Sequence, residues 1–214
     1  MGSVSERNVP MKKLNLGRMT RLAILAALLI LMAFTPLGYL RIGLMSMTLL
    51  MIPVAVGAVV LSPTAGLVLG TIFGLTSLAQ CFGMDPTGTF MMNVNPVGMT
   101  VLALVPRMLM GWLCGMIYLP FGKSGKTAVR TTGTFVASLS SALLNTVLFM
   151  STLVIFFLHN ETVFPNMPDY GFGTVIAVIV AMVGVQGLLE ALITTAVGGA
   201  VSTALLRYDK GVRK

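Results

Sequence analysis

Residues 97–130 read VGMTVLALVPRMLMGWLCGMIYLPFGKSGKTAVR: a long apolar run, Val97 to Tyr118, broken by one arginine, Arg107, and closed by a loop carrying Lys123, Lys126 and Arg130. About 20 apolar helical residues cross a bilayer's hydrocarbon core, so the run is a membrane span with a basic loop at its end. The same pattern recurs along the chain. Candidate spans are Met19 to Gly38, Leu44 to Leu61, Thr64 to Phe82, Val97 to Tyr118, Thr131 to Leu158 and Gly173 to Leu206. The expected fold class is an all-α integral membrane protein with six transmembrane helices in a compact bundle. Residues 1–18 form a cytoplasmic lead, 19–206 the membrane domain and 207–214 a basic cytoplasmic tail.

Composition agrees. With 56% hydrophobic and 9% charged residues and a mean hydropathy of +0.95, the chain has too little polar surface for a soluble globule of its size. Basic loops stay in the cytoplasm. The N-terminal segment (Arg7, Lys12, Lys13, Arg18, Arg21), the loop after span four and the tail (Arg207, Lys210, Arg213, Lys214) are therefore expected inside. Both termini are then cytoplasmic, the membrane is a cell membrane of bacterial type, and three loops face outward. These are Pro36 to Gly43 with Arg41, Gly83 to Pro96 with Asp85, Asn93 and Asn95, and His159 to Phe172 with Glu161 and Asp169. The net charge of +8 does not signal nucleic acid, because the basic residues sit at span ends and not in a stripe interleaved with aromatics.

Several motifs lead to nothing catalytic. Gly122-Lys123-Ser124-Gly125-Lys126-Thr127 resembles the end of a phosphate-binding P-loop, but Pro120 stands where the pattern needs glycine and a membrane helix replaces the required strand. His159 has no partner at usable spacing, and there is no H-E-x-x-H motif. The reading is not an enzyme, with no metal site. Cys81 and Cys114 read as free packing thiols. Small residues at four-residue spacing read as close helix contacts: Gly66, Gly70 and Gly74 in span three, and Gly111 and Gly115 in span four. Ala23 and Ala27 in span one differ, since an alanine stripe on a peripheral helix suits a partner subunit.

The informative residues are polar ones inside the spans, because a charge in the bilayer is costly and is functional by default. At 1.5 Å per residue, Arg107 lies roughly 17 Å above Tyr118, Asn145 roughly 22 Å above Arg130 and Glu190 roughly 25 Å above Arg207. All fall in the middle or outer half of the bundle. Gln186 shares a face with Glu190. Arg107 and Glu190 alone fit a buried ion pair, whereas the added amides of Asn145, Gln186, Asn93 and Asn95 fit a ligand site. In that site Arg107 offers a planar fork to a carboxylate and the amides serve hydroxyl or amide groups. No polar ladder is expected beneath the site, and no internal repeat is evident, so the chain reads as a binding protein that depends on another machine for release.

These residues carry a resemblance. The features are Ala23 to Ala27, Phe34-Thr35-Pro36-Leu37-Gly38-Tyr39, Ile52-Pro53-Val54-Ala55-Val56-Gly57-Ala58, Phe73-Gly74-Leu75-Thr76-Ser77, Val105-Pro106-Arg107, Leu144-Asn145-Thr146 and Leu188-Leu189-Glu190. From Lys12 onward the chain resembles the substrate-binding S components of energy-coupling factor (ECF) vitamin transporters, most like the pantothenate type. Gln186 departs from the asparagine expected in close relatives. The resemblance implies high-affinity capture of one vitamin from outside, with release inside when partner ATPases drive it. It implies docking of span one, through Ala23 and Ala27, onto a membrane T component carrying two cytoplasmic ATPase subunits. No cofactor is implied in this chain; ATP is used by the partners. Carried onto these residues, Arg107, Asn145, Gln186 and Glu190 bind ligand, and Tyr39, Asn93 and Asn95 form its lid or rim. Pantothenate suits this chemistry, while hydroxymethylpyrimidine or pyridoxine, or a stand-alone secondary carrier, are the alternatives.

Overall fold

The computed structural model describes residues 16–36, 38–42, 45–158, 160, 163, 173, 184 and 187–212, with the backbone alone for 39–42, 45–47 and 209–212. Helix α1 (Leu16–Ala33) leads into a β-hairpin of β1 (Tyr39–Ile42) and β2 (Met45–Thr48), whose register pairs Tyr39 with Thr48. There follow α2 (Met51–Val60), α3 (Pro63–Gln80), α4 (Pro86–Val94), α5 (Pro96–Gly122) and α6 (Thr127–Phe157). The last helix, α7, holds the apolar stretch Gly187–Tyr208, passes through a π-helical turn at Thr194–Gly198 and ends with Gly199–Val212. Among the described residues, four helices are long and apolar enough to cross a membrane: Leu16–Ala33, Pro96–Gly122, Thr127–Phe157 and Gly187–Tyr208. Much of the first half of the expected sixth span lies outside the described residues.

The second span is corrected. A helix was expected from Leu44, but Met45 to Thr48 form a strand and α2 has only 10 residues. Met45-Ser46-Met47-Thr48 alternates apolar and polar with the period of a strand. Pro53 then falls in the first turn of α2, where its missing N–H costs nothing because the first amides of any helix lack an intrahelical acceptor. The architecture is therefore helical with one β-hairpin, and the expected loop Gly83 to Pro96 contains helix α4.

Three helix starts use one device. Ser62-Pro63, Asp85-Pro86 and Asn95-Pro96 each place a capping side chain before a proline at the first helical position. Ser62 Oγ accepts from the Ala65 amide at 3.1 Å, Asp85 Oδ2 from Gly88 at 3.0 Å and Asn95 Oδ1 from Gly98 at 2.9 Å. The Leu61-Ser62 link makes α2 and α3 the tight hairpin that the sequence implies.

Helix α3 lies at the centre, packed on α1, α2 and α5, while α5 packs on α6 and α6 on α7. Lipid tails are as apolar as leucine, so close backbone contact has to substitute for a hydrophobic drive. The two glycine stripes supply it. A Cβ at Gly66 would collide with the Gly111 carbonyl and one at Gly111 with the Gly66 carbonyl. At Gly70 it would strike the Arg107 carbonyl, and at Gly74 it would sit 2.9 Å from the Ala103 carbonyl. Phe73, Leu69 and Met110 close a fully buried core beside this seam, together with Leu29, Leu50 and Met51. Cys114 packs in a second cluster with Tyr118 and Ala137, and Cys81 in a third with Met99 and Phe157; both thiols are free and buried.

Helix α1 is tethered at its two ends. Arg18 Nη2 donates to the Leu61 carbonyl at 2.5 Å, and Gln80 Nε2 donates to the Ala33 carbonyl at 2.5 Å, satisfying an acceptor at the helix terminus. Between those tethers Ala23, Ile24, Ala27, Leu28 and Leu31 are exposed.

The glycine seam predicts a graded response. Gly70→Ala is expected to cost about 1–3 kcal/mol through overpacking, and Gly70→Leu to abolish recovery of monodisperse protein. Gly17→Ala, where nothing lies within 4 Å, should leave the melting temperature in detergent unchanged or slightly raised.

Candidate functional site

Arg107 owes its position to the residue before it. In an α-helix the N–H of residue 106 would donate to the carbonyl of residue 102, but Pro106 has none. The Leu102 carbonyl is thereby released, and Arg107 Nη1 donates to it. The guanidinium carbon lies 4.8 Å from the centre of the Phe149 ring on α6 and 5.5 Å from that of Phe73 on α3. A cation between two ring faces in low-polarity surroundings gains on the order of 2 kcal/mol from such contacts, which offsets much of the cost of placing it in a membrane span. The sequence singled out Arg107 but gave neither ring the role of covering it.

Asn145 stands one helical turn before Phe149 on α6, so the amide and the ring that holds Arg107 share a face. Its Oδ1 is buried and has no hydrogen-bond partner among the described residues. A buried acceptor left in that condition costs about 1–3 kcal/mol, which a ligand hydroxyl or amide N–H would recover. Arg107 on α5 and Asn145 on α6 are thus linked through Phe149.

Glu190 is buried on α7, and its Oε1 accepts from the Thr48 amide at 2.8 Å. Thr48 is the register partner of Tyr39, so this bond fastens the hairpin to the last helix and brings the Tyr39 backbone to the same end. Gly187 faces Thr146 at 3.7 Å and Gly198 faces Ser138 Oγ at 3.1 Å, measured from the position a Cβ would take. Helices α6 and α7 are therefore antiparallel, with Glu190 between those two levels. Asn95 is engaged as the cap of α5, and Asn93 is exposed at the end of α4. Gln186 lies outside the described residues, as do the side chain of Tyr39 and His159.

The expectation that no polar ladder underlies the site is corrected. Thr134, Ser138 and Ser141 on α6 and Thr194 and Ser202 on α7 are all fully buried. Thr134 Oγ1 lies 2.7 Å from Thr203 Oγ1 and donates to the Gly199 carbonyl at 3.3 Å. Ser138 Oγ, Thr194 Oγ1 and Ser202 Oγ have no hydrogen-bond partner among the described residues. The signal was in the spacing: 134, 138, 141 and 145 form one helical stripe, and 190, 194 and 202 form the stripe opposite. Hydroxyls escape notice in membrane helices because they can bond back to their own backbone, as Ser141 does to the Ser138 carbonyl at 2.8 Å.

The fold is that of a helical membrane protein with a caged arginine and a buried amide oxygen without a partner among the described residues inside the bundle. The family model for the ECF transporter, substrate-specific component, matches residues 17–198, and the chain belongs to that family, one of transporter subunits rather than enzymes. It is similar to the pantothenate transporter PanT of Leuconostoc mesenteroides subsp. mesenteroides, 28% identical over 139 residues. The match takes in 65% of this chain and 66% of that relative.

If Glu190 fastens the hairpin, Glu190→Ala should raise the hydrogen-exchange rate of the Thr48 amide at least tenfold while amides of α3 and α5 exchange as before. Unchanged protection at Thr48 would show that the hairpin holds without the carboxylate.

Proposed function

We propose that this chain is the pantothenate-binding S component of an ATP-driven ECF importer, taking the vitamin from outside and releasing it inside when partner ATPases act. The observation that carries the reading is Arg107, held between Phe73 and Phe149, with the buried Asn145 carbonyl oxygen, unpartnered among the described residues, one helical turn from Phe149. Pantothenate has one carboxylate, which a planar guanidinium can take in two parallel hydrogen bonds. Its hydroxyls and amide match Asn145, Gln186 and Glu190. The pantothenate assignment of the relative supports the same ligand. Both rings beside Arg107 are already occupied by the guanidinium, and Phe82 and Phe90 are exposed on the outer turns, so little stacking surface is left for a flat-ring vitamin.

The sorting of basic residues supports cytoplasmic termini and an outward-facing site, with six spans in total. Family membership supports a membrane T component and two cytoplasmic ATPase subunits as partners, with ATP consumed by them and no cofactor in this chain. The exposed Ala23 and Ala27 on α1 are the docking face, flanked by Ile24, Leu28 and Leu31. Small side chains there let a partner helix approach closely.

Purified chain alone should bind pantothenate, read by isothermal titration or native mass spectrometry against a vitamin panel. Arg107→Ala should weaken binding at least tenfold, in line with loss of a charge-assisted bond of about 1.5–3 kcal/mol. Preference for another vitamin would refute the ligand, and ATP-independent uptake into proteoliposomes holding only this chain would refute the importer.

The docking face has a separate readout. Ala23→Leu with Ala27→Leu should abolish uptake in the presence of the partner subunits and leave vitamin affinity within about twofold; uptake at the unsubstituted rate would make the stripe an ordinary lipid-facing surface.

A further inference from the structure

The loop that resembles a P-loop without being one leads into a second feature of the chain. Helix α5 ends at Gly122 and α6 begins at Thr127, and beside that start a cleft opens between α6 and α7. It is open to the surface and is lined by Arg130, Arg207, Thr127, Thr131, Thr134 and Thr203, with Leu206 at its side. Two guanidinium-bearing residues from different helices thus border one small space together with four threonines. Among the described residues, neither guanidinium forms a hydrogen bond or an ion pair, and Arg130 is half-buried. Lys126, the residue that precedes α6, makes no side-chain cap, so the first amides of a long helix add their positive end to the same region.

This set of groups suits a phosphate. Arginine forks pair with phosphate oxygens through two parallel hydrogen bonds, the Thr127 and Thr131 hydroxyls can donate to them while Thr134 and Thr203 bond each other, and uncapped helix amides favour negative charge. The surroundings identify its source. Both helices are long and apolar enough to cross a membrane, and the cleft lies at the start of one and the end of the other, where a bilayer's headgroups lie. Tyr208 next to Arg207 has the character of an interfacial belt residue, with its ring at headgroup level. Basic clefts between helices at the membrane surface bind anionic lipid headgroups by this chemistry.

We propose that the cleft between the start of α6 and the end of α7 binds the headgroup phosphate of an anionic phospholipid. The lipid bridges the two helices that carry Asn145 and Glu190, joining them at the end opposite the Thr48 contact. The inference stands whether or not pantothenate is the vitamin.

The test uses the full chain in detergent micelles, with native mass spectrometry and thermal unfolding as readouts. Three probes are added separately: phosphatidylglycerol, phosphatidylcholine and inorganic phosphate. Phosphatidylglycerol should be retained and should raise the melting temperature, and phosphatidylcholine and inorganic phosphate at equal concentration should do neither. Arg130→Gln with Arg207→Gln should weaken phosphatidylglycerol retention at least tenfold, whereas Lys123→Gln, in the loop outside the cleft, should change it less than twofold. The proposal is overturned if the double variant retains phosphatidylglycerol as the unsubstituted chain does. Equal loss in Lys123→Gln would overturn it as well, by reducing the effect to diffuse attraction to the basic loop. If inorganic phosphate alone reproduces the stabilisation, the cleft takes free phosphate and the lipid assignment falls. Vitamin affinity measured on the double variant reports that it is folded.

Discussion

Backbone contact between α3 and α5 is the constraint on which the other positions depend. With no solvent-driven force to press apolar helices together in lipid, two helices gain most by bringing their backbones into van der Waals range. Gly66, Gly70 and Gly74 allow that on one side, and Gly111 on the other. Gly70 lies against the carbonyl of Arg107 itself, and Phe73, on the next turn of α3, faces the guanidinium. The packing contact and the functional arginine therefore share one stretch of helix, so a shift of α3 along α5 would move Phe73 away from the charge it covers.

The opposite side of the bundle is built differently. The α6 and α7 stripes meet through buried hydroxyls and a π-helical turn, a geometry frequent at functional sites. Three of those hydroxyls have no partner among the described residues, and ordered water is the usual complement of such groups. The α3 and α5 contact is close-packed backbone, whereas the α6 and α7 contact consists of small polar groups whose hydrogen bonds can be exchanged. A polar stripe running from Asn145 to Thr134 also removes the premise that nothing polar lies beneath the site. Dependence on an energised partner therefore rests on family membership and not on a missing path.

Glu190 shows how one residue can satisfy two readings of a sequence. An intramembrane carboxylate invites assignment as a ligand contact or as the partner of Arg107. In the fold it accepts the Thr48 amide, and so links the last helix to a hairpin near the start of the chain. That does not remove it from the ligand site, since a carboxylate has about four acceptor positions. The same group can hold the hairpin and keep acceptor positions for the proposed ligand.

Much of this was legible in the residues. Apolar length and the placement of basic side chains determined a helical membrane protein, because hydrocarbon tolerates few other solutions for the backbone. Glycine spacing determined that α3 and α5 carry close-contact faces, whereas the helix that follows Asp85-Pro86 falls in a stretch that reads as loop. Arg107, Asn145 and Glu190 stood out because burying them is costly. Only the tertiary structure decided that Leu44 to Thr48 belong partly to a hairpin, since a short apolar run with alternating character is ambiguous until its partner strand is present. Only it decided that Asn95 acts as a cap, that Phe73 covers Arg107, and that Thr48 meets Glu190 across 142 positions of sequence. The reason is the range of the forces: propensity, capping and hydropathy act within a few residues and are written locally, whereas a hydrogen bond or a ring over a cation exists only once separate segments have been packed together.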